Sequence, residues 1–373
     1  MTFAKHGERS EAKRRAIISP IPRRNELPAA LVILSMEKIR VKIVLVILLV
    51  FLGLSVILEV LLRSLVGFGN PLIYITDPEI GYLLVPSQST TRFGNRIAIN
   101  EYSMRSPKIT VTRPESTMRV LILGDSVANG GWWTDQEQTI SALLKTQLEA
   151  LIRGASRESN PQTIFFEDVE VLNASANSWG PRNELAYLER FGTFEAQVVV
   201  LLLNTDDLFA TAPNSAPVGR DRNYPDQKPS LALVEVFNRY VLPIILPEPE
   251  SKVSQAPPEK DPVGNNLEAI GQIQTLSNTH NAEFVLLMTP LLREIGEPGP
   301  LDYELQARTR LSEFTKERQI TYLDFLPVFQ QTETPEALYR DHIHLNSQGN
   351  QKVSEVIGSL PIVRSQLSIA TNP

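Results

Sequence analysis

The stretch Met118-Arg-Val-Leu-Ile-Leu-Gly-Asp-Ser126 decides how the rest of the chain is read. A short apolar, β-rich run that stops at Gly-Asp-Ser predicts a strand buried on both faces, then a tight turn. The pattern recurs downstream. Residues 139–152 place Ile140, Leu143, Leu144, Leu148 and Leu151 at helical spacing. Val169-Glu-Val-Leu-Asn173, Gln197-Val-Val-Val-Leu-Leu-Leu203, Glu283-Phe-Val-Leu-Leu-Met288 and Ile320-Thr-Tyr-Leu-Asp324 read as four more strands. Residues 184–191, 266–279, 301–318 and 349–360 read as helices. Such alternation predicts an α/β fold: a three-layer α/β/α sandwich around a mainly parallel five-stranded sheet. In these sheets ligands bind beyond the C-terminal ends of the strands, which gives a location test for every candidate residue.

Outside this frame the pattern changes. Residues 63–117 form a lead-in that reads as extended and loop-like from Asn70 on. Its strand-like runs are Leu72-Ile-Tyr-Ile-Thr76 and Arg96-Ile-Ala-Ile-Asn100. Residues 211–262 interrupt the alternation with ten prolines and read as an insertion into a domain spanning 118–373. Within it, residues 231–246 are apolar enough to pack on something. A surface loop with a short docked helix is the plain reading; a lid, or a surface resting on a membrane, is the functional one. There is no internal repeat and no G-x-G-x-x-G after a strand.

Composition narrows the function. The 373 residues include 36 Lys plus Arg, 42 Asp plus Glu and no Cys. The absence of Cys excludes disulfides, a cysteine nucleophile and thiolate metal sites. The net charge of -6 is unevenly placed: residues 1–42 carry ten basic and four acidic residues, leaving 26 and 38 for the remainder. That distribution argues against nucleic acid as a partner and, beside a long apolar run, points to a membrane. Residues 43–62 hold one acidic residue, Glu59, near the far end, and are just long enough to span as a helix. Lys38, Arg40 and Lys42 precede them, so the N-terminal side is expected in the cytoplasm and the bulk of the chain outside. A cleaved signal peptide is the rival reading, but no small-residue cleavage pattern follows the run. Residues 1–42 then form a basic cytoplasmic tail, or translation starts at Met36.

Three sets of residues pass the location test or supply what it needs. Ser126 follows the first strand, where a tight turn exposes a hydroxyl at the sheet's edge; a turn whose Asp125 or Ser126 merely caps a helix is the plain alternative. A serine nucleophile needs a base. Asp341-His-Ile-His344 offers one, with Asp341 three residues before His344 and able to orient the ring. A solvated loop or a two-histidine metal site are the other readings of that segment. Donors for a developing oxyanion are expected from the loops after the second and third strands, which hold Gly180 and Asn204. Asp324, at the end of the fifth strand, is a reserve acid.

These blocks, in this order, resemble the SGNH hydrolases, also called the GDSL lipase/esterase family, over about residues 118–360. Gly124-Asp-Ser126 is similar to the family's first block, Gly180 to the glycine of the second, and Asp341-His-Ile-His344 with Leu-Asn-Ser-Gln-Gly349 to the last. Asn100-Glu-Tyr-Ser-Met-Arg105 is similar to a lead-in found in some membrane-associated members. The third block departs: the family's Gly-x-Asn-Asp falls on Asn204-Thr205-Asp206-Asp207, which puts Asp206 where the family has its asparagine. Asn204 as substitute, a protonated Asp206, or an impaired site are the three readings. The resemblance implies a flavodoxin-like fold and an esterase or O-acyl hydrolase without metal or organic cofactor. It implies an acyl-Ser126 intermediate, with His344 as base, Asp341 as its partner, and Ser126, Gly180 and Asn204 holding the oxyanion. Joined to the anchor, it implies acyl or acetyl esters of cell-surface glycans or lipids as substrates. An O-acyltransferase using the same residues, or a non-catalytic binding protein on a decayed hydrolase fold, are the alternatives.

Overall fold

The structure is a computed structural model that describes residues 29–155, 166–246 and 259–368. Most of the basic tail (1–28) and the insertion's 247–258 lie outside the described residues. By contact the chain divides into two units, Met1–Ile57 and Leu58–Pro373. The first contains most of helix α1 (Ala29–Leu61). The stretch Met36–Val66, which contains the expected span 43–62, is long and apolar enough to cross a membrane.

In the second unit the lead-in forms two antiparallel hairpins. Strand β1 (Tyr74–Asp77) pairs with β2 (Gly81–Leu84), and β3 (Ser89–Arg92) with β4 (Asn95–Ala98). Then comes the sheet: β5 (Thr117–Gly124), β6 (Asp168–Ser175), β7 (Val198–Asn204), β8 (Glu283–Thr289) and β9 (Thr321–Asp324). All neighbours are parallel, in the order β6-β5-β7-β8-β9. The five strands expected from apolar runs are thus the five strands present.

Their apolar continuity follows from burial on both faces. Leu121, Leu123, Leu201 and Leu203 point into one core, against Tyr187 and Leu188 of α4 (Pro181–Phe191) and Ile270 and Ile273 of α5 (Pro262–Thr279). Val120, Ile122, Val200 and Leu202 point into the other, against Leu144 and Leu148 of α3 (Ile140–Ala155) and Val353 and Ile357 of α7 (Ser347–Ser359). Helix α6 (Asp302–Glu317) adds Leu311 to the first core, and α2 (Ser126–Asn129) is a single turn at the end of β5. The hairpins share the first core through Tyr74, Ile80, Tyr82 and Ile97. Truncating a fully buried leucine here, Leu201 for example, removes contacts typically worth about 2–5 kcal/mol.

Register sets where the chemistry can lie. Gly124 stands level with Ser175 of β6 and Leu202 of β7, and Asn204 with Thr289 of β8. The loops carrying Ser126, Ser178 and Asn204 therefore leave the sheet along one edge.

Candidate active site

Gly124 has no left-handed φ; it is needed because a Cβ would lie 2.7 Å from the Leu202 carbonyl oxygen and 2.8 Å from Ala128 Cβ. Close packing of β7 and α2 against the turn thus demands glycine. Asp125 is the N-cap of α2, its Oδ1 accepting from the Val127 N–H at 2.8 Å. The capping reading and the exposed-hydroxyl reading of this turn hold together, since capping by Asp125 leaves Ser126 at the first helical position. The turn is clamped from behind by Arg105, whose guanidinium donates to the carbonyls of Asn129 (2.7 Å), Gly131 (2.6 Å) and Thr134 (2.5 Å). Burial pulls the Arg105 pKa down to about 10, which still leaves it charged at neutral pH. Asn100 shapes the loop that delivers it, accepting from the N–H groups of Tyr102 and Met104 at 3.0 Å. Both polar ends of the Asn100–Arg105 motif are thereby accounted for.

The structure brings Ser126, His344 and Asp341 into one line. Ser126 Oγ lies 2.9 Å from His344 Nε2, and His344 Nδ1 lies 2.9 and 3.0 Å from the two Asp341 oxygens. Asp341 also accepts from the backbone N–H groups of His344 (2.9 Å) and Ile343 (3.1 Å). Partial burial pushes its carboxyl up, but these donors outweigh that and hold it below the usual carboxylate range. His342 stays out of this line, with its side chain 83% exposed. Asp324 is drawn elsewhere: it pairs with Arg308 and caps the Leu326 N–H. Trp133 lies on the His344 ring at 4.4 Å between centroids and screens that side of the imidazole from water.

The expected oxyanion donors are placed differently from their sequence reading. The Gly180 N–H is already given to Asn183 Oδ1 at 3.1 Å, as the start of α4, and Gly180 lines neither cavity at Ser126. Its lack of a side chain serves packing, because a Cβ would lie 2.4 Å from Ala210 Cβ. Ser178 borders Ser126 in both cavities instead, with a left-handed φ of 56°. Its Oγ accepts a 2.7 Å hydrogen bond from the Tyr224 hydroxyl, which the insertion contributes. Sequence reading missed Ser178 because serine seldom marks a left-handed position, whereas Gly180 two residues on draws the eye. Asn204 does border the site. Its amide donates to Asp125 Oδ2 at 2.9 Å while its Oδ1 accepts from the Asp206 N–H at 2.7 Å. Asp206 is exposed at the surface, but partial desolvation, then the Glu304 charge, raises its pKa. Thr205 turns away into a buried network with Glu294 (2.7 Å) and Arg308 (2.8 Å).

Two cavities meet at the Ser126–His344 pair, of about 440 Å³ and 570 Å³. The smaller is walled by the hairpins (Tyr74, Ile97), Trp132 and Trp133, and the insertion (Tyr224, Tyr240). The larger has the side chains of Asp125, Asn204, Asp206 and His342 on its walls, among apolar ones such as Trp179 and Ile343. Beneath the turn, Glu184 is fully buried with neither carboxylate oxygen hydrogen-bonded; burial first, and the Asp125 charge second, raise its pKa well above the usual range.

Residues 122–352 match the GDSL-like Lipase/Acylhydrolase family. That is more than half of the chain, and the chain belongs to this family; by class it is an ester hydrolase. Similar solved structures include TesA, with 16% identity over 66% of this chain and 99% of that one, at a TM-score of 0.40. The acetyl xylan esterase AlAXEase shows 15% identity over 65% and 98%, at a TM-score of 0.41. The lipase/acylhydrolase of Enterococcus faecalis shows 11% identity over 66% and 96%, at a TM-score of 0.37. No curated protein matches the chain.

Proposed function

We propose that this protein is a membrane-anchored serine esterase that removes ester-linked acyl groups, acetyl included, from cell-surface glycans or lipids. The observation that carries the reading is the 2.9 Å contact between Ser126 Oγ and His344 Nε2, with Asp341 on the opposite ring nitrogen. In this reading Ser126 Oγ attacks the ester carbonyl and passes its proton to His344. The bond to the alcohol breaks, His344 protonates the departing oxygen, and an acyl-Ser126 remains. Water, deprotonated by His344, then releases the carboxylic acid and restores the serine. Asp341 fixes the tautomer with Nδ1 protonated and steadies the imidazolium.

The oxyanion is assigned to the backbone N–H groups of Ser126 and Ser178, aided by the Asn204 amide that Asp125 holds in place. Ser178 takes the part that sequence reading gave Gly180, whose N–H is committed to Asn183. The anchor is helix 43–62, with Lys38, Arg40 and Lys42 on the cytoplasmic side and the hydrolase domain beyond the membrane. The test is hydrolysis of a short-chain aryl ester by the full chain in detergent. The parent turns the ester over, and Ser126→Ala loses at least about 10⁴-fold in kcat. Equal turnover by the variant would sink the reading.

A further inference from the structure

Glu59 is the one acidic residue in the apolar run 43–62. A carboxylate at the edge of a hydrocarbon layer is costly unless it is used. Its two oxygens accept from the first N–H groups of a short helix in the insertion, Ala232 at 2.8 Å and Leu233 at 3.0 Å. Arg63, paired with Glu59 at 2.5 Å, donates to the Ser230 carbonyl at 2.8 Å. The insertion is held again from the lead-in: Glu235 accepts from the Gly69 N–H at 2.6 Å and pairs with buried Arg92 at 2.5 Å. All these groups belong to the compact unit Leu58–Pro373. Residues 230–235 are therefore fastened to the last turns of the apolar run, wherever the run itself lies.

From that fastening the chain continues through Ala232–Val236, Phe237–Val241 and Leu242–Ile245. Apart from Asn238 its exposed residues are apolar or aromatic: Ile244, Ile245 and Leu246 are 80%, 62% and 64% exposed, with Phe237 and Val241 exposed beside them. A patch of this kind on a soluble surface marks a contact. Tyr240 of the same segment, itself partly exposed, begins a row of rings. Tyr240 meets Phe68 (6.0 Å), Phe68 meets Phe93 (5.7 Å), and Phe93 meets Trp132 (5.1 Å). Trp132 then meets Trp133 (5.7 Å), which lies on His344 (4.4 Å). Four of these rings, those of Tyr240, Phe93, Trp132 and Trp133, line the smaller cavity at Ser126.

We infer that residues 237–246 rest in the membrane interface, and that the aromatic row leads the acyl chain of a membrane-resident ester to Ser126. The occupant of the apolar face is the lipid bilayer, because the segment is pinned to the end of the run that reads as the span. This rests on the anchored-esterase reading and narrows its substrate class from glycans or lipids to amphiphiles seated in the bilayer. The carbonyl presented by such an amphiphile then undergoes the acyl transfer already described, with no additional reactant.

The chain has no Cys, so Ile244→Cys in the full-length protein accepts a single nitroxide. In liposomes the label at residue 244 is expected to collide more with dissolved oxygen than with an aqueous nickel chelate. The reverse is expected for Glu313→Cys on α6, an exposed control. Matching accessibilities at the two positions would overturn the membrane contact, and this readout needs no catalysis. In a second arm, the pair Ile244→Asp and Ile245→Asp is compared with the parent on 4-methylumbelliferyl acetate in water and 4-methylumbelliferyl palmitate in the vesicles. Hydrolysis of the palmitate is expected to fall roughly tenfold while the acetate is unaffected. Equal rates on both esters, or equal losses on both, would overturn the delivery role. A parent inactive on either ester would instead refute the esterase reading, leaving the nitroxide result to decide the membrane contact.

Discussion

The edge of the sheet and the cover over it are built by opposite means. At the edge, Ser126, His344 and Asp341 are held by short polar contacts on turns whose backbones are pinned: Asp125 caps α2 and Arg105 grips three carbonyls. The cover, made by the hairpins and residues 221–240, meets the same cavity with rings, and its polar contacts fasten it mainly to the lead-in, with Tyr224 on Ser178 reaching the edge itself. The difference teaches a division of labour. Polar contacts from several sides fix the three side chains at the edge, while the wall over them is largely apolar; under the proposed function, the first would position the reacting atoms and the second would select the ester.

Substitutions can break this division at different depths. The largest effect is expected at the edge. Asp341→Asn, which supports the wrong ring tautomer, should lower kcat by up to about 10⁴-fold with little change in KM. Asp324→Asn should leave kcat within a few-fold, because Asp324 is paired with Arg308 and not with His344. Steady-state kinetics on both variants would expose a misassigned acid if the order were reversed. Next is Arg105→Leu, which strands three buried carbonyls. It should cost about 3 kcal/mol or more, read as a lower urea midpoint, and reduce kcat at temperatures where the protein is still folded. An unchanged midpoint would show that the clamp is dispensable.

The cover yields a smaller effect. Tyr224→Phe removes the hydrogen bond to Ser178 Oγ and should lower kcat roughly tenfold while KM stays put. A change in KM alone would reassign Tyr224 to substrate contact. The smallest effect lies beneath the edge. Glu184 has a folded-state pKa raised above its unfolded value, so it costs stability as pH rises through and beyond the ordinary carboxylate range. Glu184→Gln should therefore gain on the parent between pH 5 and pH 8, by about 2–4 °C in Tm for each kcal/mol relieved. A gap that is constant with pH would mean that Glu184 is not the group being relieved.

The edge was legible in the sequence and the cover was not, for physical reasons. Strands buried on both faces are continuous apolar runs, so β5 to β9 stand out. Ser126 and His344 are far apart in sequence, yet the order of their blocks along the chain was enough to pair them. Helix starts were read late where the signal was a cap rather than an apolar residue: α4 begins at Pro181 after Gly180, and α5 at Pro262 after Asp261, whose side chain accepts from the Gly264 N–H. Strand β3 escaped notice because the residues it buries are Thr90 and Arg92, polar side chains paired with Asn70, Gly67 and Glu235 in place of an apolar alternation. The role of Trp132 and Trp133 also carried no sequence signal, since the aromatic row is assembled from four separate segments.

Ser178 is the sharpest lesson at the site. Its left-handed backbone is imposed by the fold around Tyr224 and Trp179, not announced by glycine. The third block shows the converse. Asn204 was expected to stand in for an asparagine two positions later, and it does border Ser126, but through Asp125, a contact that spacing along the chain could not indicate.

The central claim is that Ser126 is a nucleophile activated by His344. It is tested most directly by treating the full-length protein with a fluorophosphonate and mapping the adduct by mass spectrometry. One phosphonylated peptide is expected, carrying the group on Ser126, with labelling abolished by His344→Ala. An adduct on another serine, or labelling of Ser126 at the same rate without His344, would contradict it.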